Sequence, residues 1–260
     1  MRRLLIRPGA IGDLIVSLPA LESLKVDYLE VWAAEQNLPL IRFADRVQSI
    51  ISTGLDMLEI EPSRGLIERL RGFDSIVSWY GAGRPEFRDA VAALGLPFGF
   101  FPALPVGCHA VDFFVEQALA RSNKLKLVPH IACPEGTEEF AVIHPFASKV
   151  EKRWPMERFR ALAQQLPMPV QWCAGPEEAL DGAVRIADLY ELACWLARAR
   201  VYIGNDSGIS HLAAAVGTPV VALFGPTDPA VWAPRGSRVR VLEQMDSVEP
   251  ADVLRAIEGL

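Results

Sequence analysis

The stretch from Val201 to Pro226, VYIGNDSGISHLAAAVGTPVVALFGP, limits the folds open to this chain more than any other. Val201–Ile203 is a short β-rich apolar run. Gly204-Asn205-Asp206-Ser207-Gly208 is turn chemistry. Ile209 to Val216 is Ala-rich and helical, and Gly217 stands where a helix end favours a left-handed backbone. Pro219 to Phe224 reads as a second buried strand. Strand, loop, helix and strand make a βαβ unit, which calls for a parallel sheet. Its first loop falls at the carboxyl end of a strand, where open α/β sheets bind ligands. A helix start also carries backbone N–H groups without intrahelical partners and a partial positive charge, which suits a phosphate. Two roles for Asp206 and Ser207 stay open at this level: capping the helix, or holding an anion with Gly208. Gly204 lies three residues before Ser207, so this is not the G-x-S-x-G elbow of a hydrolase. His211 follows Ser207 by one helical turn, which argues against a Ser-His catalytic pair and leaves His211 near the anion site.

The rest of the chain repeats the pattern. Arg3–Arg7 is an apolar strand between arginines, followed by the loop Pro8-Gly9-Ala10-Ile11-Gly12-Asp13. A helix is expected from Leu14 to Leu24, broken or kinked at Pro19. This G-x-x-G loop lacks the dinucleotide fingerprint G-x-G-x-x-G, and no acidic residue is placed like a ribose-binding one, which argues against NAD. Asp13 is either a helix-start carboxylate favoured by the dipole or a general base facing a cleft. Strands are expected at Phe73–Tyr80 and Leu96–Phe101, and helices at Arg84–Leu94 and His109–Leu119. Leu127–Glu138, with Pro129, Pro134 and Gly136, reads as a linker.

Strand and loop then recur at Phe140–His144 and Pro145–Pro155. A helix over Met156–Leu166, a strand over Val170–Cys173 ending at Gly175-Pro176-Glu177, a helix over Tyr190–Ala199 and a last helix over Pro250–Ile257 follow. Two halves that each open strand-loop-helix predict two Rossmann-like domains, residues 1–130 and 137–260, with the last helix free to pack back on the first. The loop PFASKVEKRWP gathers Ser148, Lys149, Lys152 and Arg153 at a strand end. Each lysine alone is most simply a solvated charge. In one parallel sheet, however, this loop and the Asp206 loop would share an edge and could neutralise a diphosphate together without a metal.

Composition excludes several classes. The net charge of −6 argues against broad nucleic-acid binding. The four cysteines are scattered without a C-x-x-C and read as reduced core thiols of a cytosolic protein. Arg7, Pro8 and Gly9 interrupt any signal-peptide core, and no apolar run reaches the about 18 residues of a membrane span. Surface association with a membrane is left open.

Three motifs in order carry a resemblance. NDSGISHLAAAVGTPVVALFGPTDPAVWAP resembles the C-terminal signature of the ADP-heptose:lipopolysaccharide heptosyltransferases, glycosyltransferase family nine. RPGAIGDLIVSLPAL resembles that family's opening R-x-x-x-x-G-D motif, and HPFASKVEKRWPMERFRALA its middle HP…K-x-W-P motif. The resemblance implies an α/β protein of the GT-B fold, with two Rossmann-like domains facing across a cleft, the acceptor on the N-terminal one and the nucleotide sugar on the C-terminal one. It implies an inverting glycosyltransferase that needs no metal or other cofactor, takes an ADP-sugar, heptose being expected, and acts on a lipopolysaccharide-core or related glycan, free or lipid-linked. That work belongs to the cytoplasm or the inner face of the bacterial inner membrane. Asp13 would be the base, in a loop shaped by Gly9 and Gly12. Ser148, Lys152, Asp206, Ser207, Gly208 and His211 would hold the donor, and Glu177 would contact ribose. The segment from Gly175 to Arg200 is compressed relative to the family. The alternatives are a transferase for another nucleotide sugar or acceptor, and a degenerate member that binds nucleotide or glycan without catalysis.

Overall fold

The computed structural model describes residues 1–119, 126–136 and 138–260, so Thr137 of the expected linker lies outside the described residues. The chain divides into two compact units. One comprises Met1–Val106 with Asp112–Leu127, the other Gly107–Val111 with Val128–Leu260.

The first unit holds β1 (Arg2–Arg7), α1 (Ile11–Ser23), β2 (Tyr28–Ala33), β3 (Arg46–Ser49), α2 (Arg64–Arg71), β4 (Ser75–Ser78), α3 (Pro85–Ala93) and β5 (Phe98–Phe100); α4 (Ala110–Leu119) follows. Its five strands are parallel in the order β3-β2-β1-β4-β5. The central strand β1 is buried along Arg3–Arg7 and β2 along Leu29–Ala33. Near-continuous apolar runs of this kind suit strands covered on both faces. The chain leaves β1 toward β2 and β3, then returns to β4 on the other side. The sheet therefore has its switch point at the carboxyl ends of β1 and β4.

α1 begins three residues earlier than expected, at Ile11, and runs through Pro19 without a break. Its buried face, including Leu14, Ile15, Leu18 and Leu21, keeps it docked on the sheet although Pro19 donates no hydrogen bond. Glu30 sits inside β2 and is buried. It receives Trp32 Nε1 and the guanidinium of Arg69.

The second unit holds β6 (Ala141–His144), α5 (Met156–Gln165), β7 (Val170–Trp172), α6 (Leu189–Ala197), β8 (Val201–Asn205), α7 (Gly208–Ala215), β9 (Val220–Leu223), α8 (Pro229–Trp232), β10 (Val239–Leu242) and α9 (Pro250–Glu258). These strands are also parallel, ordered β10-β9-β8-β6-β7. The switch point lies between β6 and β8, and His144 is level with Gly204 there. The βαβ reading of residues 201–226 is observed as β8-α7-β9. α7 ends as the sequence suggests. Gly217 adopts φ +83°, its N–H reaches Ala214 O, and the Thr218 N–H reaches Ala213 O. α9 packs within this unit, with Val253, Leu254 and Ile257 against the cluster containing Trp154, Phe159 and Leu162. β10, an edge strand, was not expected from the sequence, although its alternation of Val239, Arg240 and Val241 carries the signal.

Candidate functional site

Two loops meet at the switch point of the second sheet. The loop at 145–155 follows β6, and the turn at 206–207 follows β8. Between them Lys152 Nζ donates to Asp206 Oδ2 at 2.7 Å, with the lysine side chain 23% and the aspartate 9% exposed. The sequence left the roles of Asp206 and Ser207 open. Neither caps α7: Ser207 occupies the N-cap position without a side-chain cap. Its Oγ instead lies 3.4 Å from Ser210 Oγ, and the Asp206 carboxylate faces Lys152. A helix start whose side chains leave its first N–H groups uncovered keeps its anion-binding capacity. Gly208 is the first residue of that helix, and His211 is buried one turn along.

The cations of the 145–155 loop, which sequence alone groups into one patch, have separate partners. Lys149 is exposed and lies 3.9 Å from Glu151. Arg153 Nε donates to Ala147 O, and its guanidinium lies over the Phe146 ring. Lys152 alone of these reaches the β8–α7 turn. Ser148 is exposed on the same loop.

Glu177, which the resemblance would place against the donor ribose, is exposed. Its neighbour Glu178 turns inward instead. Glu178 Oε2 accepts the Gly175 N–H at 2.6 Å and His144 Nε2 at 3.3 Å. Burial pushes the Glu178 carboxyl up. The His144 hydrogen bond, the Gly175 amide and the Arg153 charge outweigh it and hold the group below its ordinary range. Behind the site, burial raises the Cys173 thiol to about 12 and the Tyr202 phenol above its usual value. A concave surface of about 500 Å³, lined by Glu151, Gly225, Pro226 and Gln244–Ser247, opens beyond the 145–155 loop.

In the first unit Asp13 lies in the first turn of α1 and is half-buried. Its Oδ2 accepts the Ala10 N–H at 2.9 Å, so the helix-start role is present. Gly9 is required by the geometry. It adopts φ +124°, and a Cβ there would stand 2.8 Å from Asp13 Cβ and 2.9 Å from Oδ2. Gly12 is the second residue of α1. Beneath the loop lies Arg7, the arginine of the opening motif, to which the sequence reading gave no role. It is 3% exposed and donates to Ser17 Oγ, Pro8 O and Asp13 O, with Phe114 against its guanidinium. Burial lowers Arg7 to about 10, opposed by the Asp13 charge, so it stays protonated at neutral pH. Elsewhere in this unit adjoining cavities of about 660 and 450 Å³ share Ala82, Gly83, Arg88 and Phe100.

Among the described residues no group of three or more His, Cys, Asp or Glu side chains could hold a metal ion, and no helix is long and apolar enough to cross a membrane. Cys108, Cys133, Cys173 and Cys194 form no disulfide, and Cys173 is buried.

Comparison with known proteins agrees with the resemblance read from the motifs. The family model described as glycosyltransferase family 9 (heptosyltransferase) matches residues 185–253. Lipopolysaccharide heptosyltransferase 3 of Escherichia coli is 31% identical over 163 residues, 47% of this chain and 47% of that protein. The chain thus spans about half the length of the curated relative it matches. The solved structure of E. coli heptosyltransferase WaaC with ADP matches with a TM-score of 0.75 at 19% identity, covering 100% of this chain and 99% of that one. Its complex with ADP-2-deoxy-2-fluoro heptose matches at 0.72 and 19%, covering 100% and 99%. At such identities these structures speak for the fold, which is α/β and of the GT-B class, as the resemblance implied.

Proposed function

We propose that the chain, which carries the sequence signature of glycosyltransferase family 9 in its C-terminal half and the fold of that family's heptosyltransferases throughout, is a glycosyltransferase that moves a sugar from an ADP-linked donor to a glycan acceptor. Heptose is the first sugar to test and lipopolysaccharide core the first acceptor, because the similar proteins are named for them. A lipid-linked acceptor of that kind would bring the chain to the cytoplasmic face of the inner membrane. The observation that carries the reading is the Lys152–Asp206 pair beside the uncovered start of α7.

In this mechanism the donor diphosphate draws Lys152 away from Asp206 and takes the amides at the start of α7 as further donors. Asp206, released, is an acceptor for sugar hydroxyls. The acceptor hydroxyl oxygen attacks the anomeric carbon from the face opposite the diphosphate. The new carbon–oxygen bond forms as the bond to the diphosphate breaks, which inverts the anomeric centre. Asp13 takes the hydroxyl proton as general base. Lys152 and the helix amides meet the charge that develops on the leaving ADP, so the residues themselves supply the stabilisation that a cation would otherwise give.

The test is a thermal-shift series with ADP, UDP, GDP and CMP, followed by transfer from ADP-heptose to core acceptors with ADP release as the readout. A ligand at a hundredfold excess over Kd stabilises the folded state by about 2.7 kcal/mol. Stabilisation by ADP with transfer is the expected result. Stabilisation by UDP or GDP in place of ADP overturns the donor assignment. Stabilisation by none overturns the reading as a transferase of nucleotide sugars.

A further inference from the structure

The groups at the donor side come from two loops far apart in sequence, and one side chain joins them. Asn205, the last residue of β8, is fully buried. Its Oδ1 accepts the Trp154 N–H at 2.9 Å, and its Nδ2 donates to Pro145 O at 2.9 Å. Pro145 opens the loop that carries Ser148 and Lys152, and Trp154 closes it. Both ends of that loop are therefore pinned to the residue that immediately precedes Asp206. The Asn205 carbonyl in turn accepts Ser210 Oγ, which ties the clasp to the first turn of α7.

The donor and acceptor of the side chain face a backbone acceptor and a backbone donor respectively, so the amide orientation is fixed by its partners. No other residue of this size supplies both bonds. Aspartate would keep the Trp154 bond and set an oxygen against the Pro145 carbonyl. An apolar residue would leave two buried backbone groups without partners. These bonds are not part of the sheet ladder. They join β8 to a loop, and the loop's cation is the one that reaches Asp206 at 2.7 Å.

We infer that Asn205 is a positioning residue for the proposed transfer, holding Lys152 in register with Asp206 and the start of α7 so that the donor diphosphate meets a preformed site. The inference rests on the donor-site reading above. Without the clasp the loop would have to be ordered when the nucleotide binds, and that ordering lowers affinity.

The experiment is calorimetric titration of ADP into the wild type, Asn205→Ala, Lys152→Ala and the double variant, with the urea midpoint of each measured alongside. Asn205→Ala should weaken ADP binding about tenfold, the effect of freeing one or two interfacial side chains. In the Lys152→Ala background the same change should matter by less than about twofold, because its effect passes through Lys152. A general loss of stability would not produce that coupling. Asn205→Asp, which keeps the size and the Trp154 bond but sets a carboxylate oxygen against the Pro145 carbonyl, should also weaken ADP binding, and it decides the matter if the alanine variant does not fold. Weakening by Lys152→Ala with none by either Asn205 variant overturns this inference alone, as do Asn205 and Lys152 losses that simply add. Failure of the wild type to bind ADP, or full affinity in Lys152→Ala, overturns the donor-site reading and this inference with it.

Discussion

Asp13 and Asp206 occupy matching places in the two units and are held in opposite ways. Each lies at the carboxyl edge of a parallel sheet, where a strand beside the switch point hands over to a helix. Asp206 is buried and paired with Lys152 at 2.7 Å. Asp13 is half-buried, and the bond to its carboxylate comes from the Ala10 backbone N–H. The buried arginine beneath it, Arg7, directs its donors to Pro8 O, Asp13 O and Ser17 Oγ and not to the carboxylate. A direct ion pair suits a group that waits for an anionic ligand to claim its cation. The group proposed to accept a proton takes its bond from a neutral backbone N–H instead.

The largest expected effect tests the first half of that contrast. Asp13→Ala should lower transfer by about 10²–10⁴-fold, the usual contribution of a general base, and leave ADP affinity as it is. Transfer at the wild-type rate would remove Asp13 from the chemistry and leave it as a helix-start residue. Lys152→Ala should do the reverse first, weakening ADP binding by about 10- to 100-fold, in line with about 1.5–3 kcal/mol for a hydrogen bond to a charged group. Equal ADP affinity in wild type and variant would separate the ion pair from nucleotide binding.

Next in size is Gly9→Ala. Its φ of +124° and the 2.8 Å approach to Asp13 Cβ mean that the new methyl group must displace Asp13. Backbone strain of this type costs about 1–3 kcal/mol, and the displacement should lower the turnover number while sparing ADP affinity. Gly217→Ala is the control. It carries a φ of +83° but has nothing within 4 Å of a Cβ, so it should lose stability without losing turnover. Turnover that falls equally in both variants would mean that global stability, and not Asp13 placement, sets the rate.

The residues show why the outline was legible and the details were not. β8-α7-β9 could be read from residues 201–226 because apolar runs, a turn cluster and a C-terminal glycine all agree. Two parallel sheets followed from the repeated strand-loop-helix pattern. The unbroken course of α1 through Pro19 escaped the reading because Pro19 is a local signal, whereas the buried face of Leu14, Ile15, Leu18 and Leu21 acts through tertiary contacts. In the site, Lys152 and Asp206 stand out as charges in loops, but their pairing is a contact between residues far apart in sequence. Asn205 was hidden because its neighbourhood reads as turn chemistry. Only the fold shows that its amide faces the loop after β6 and not its own backbone. The Gly175-Pro176-Glu177 turn after β7 was visible in the sequence, but nothing in two adjacent glutamates says which one turns inward.

That last pair gives the smallest effect and adds a third carboxylate to the comparison. Glu178 is held below its ordinary range chiefly by His144 and the Gly175 amide, against the upward push of burial. Its ionised form is thus favoured by folding, and linkage fixes the sign. The contribution is complete above the usual glutamate value of about 4.3 and is lost as pH falls through the lower folded value. Glu178→Gln should therefore narrow the gap in urea midpoint between pH 7 and pH 3. The side chain is 27% exposed, which keeps the gain within about 1 kcal/mol. An unchanged gap in the Glu178 variant would mean that this carboxylate gains nothing on folding from His144 and the Gly175 amide.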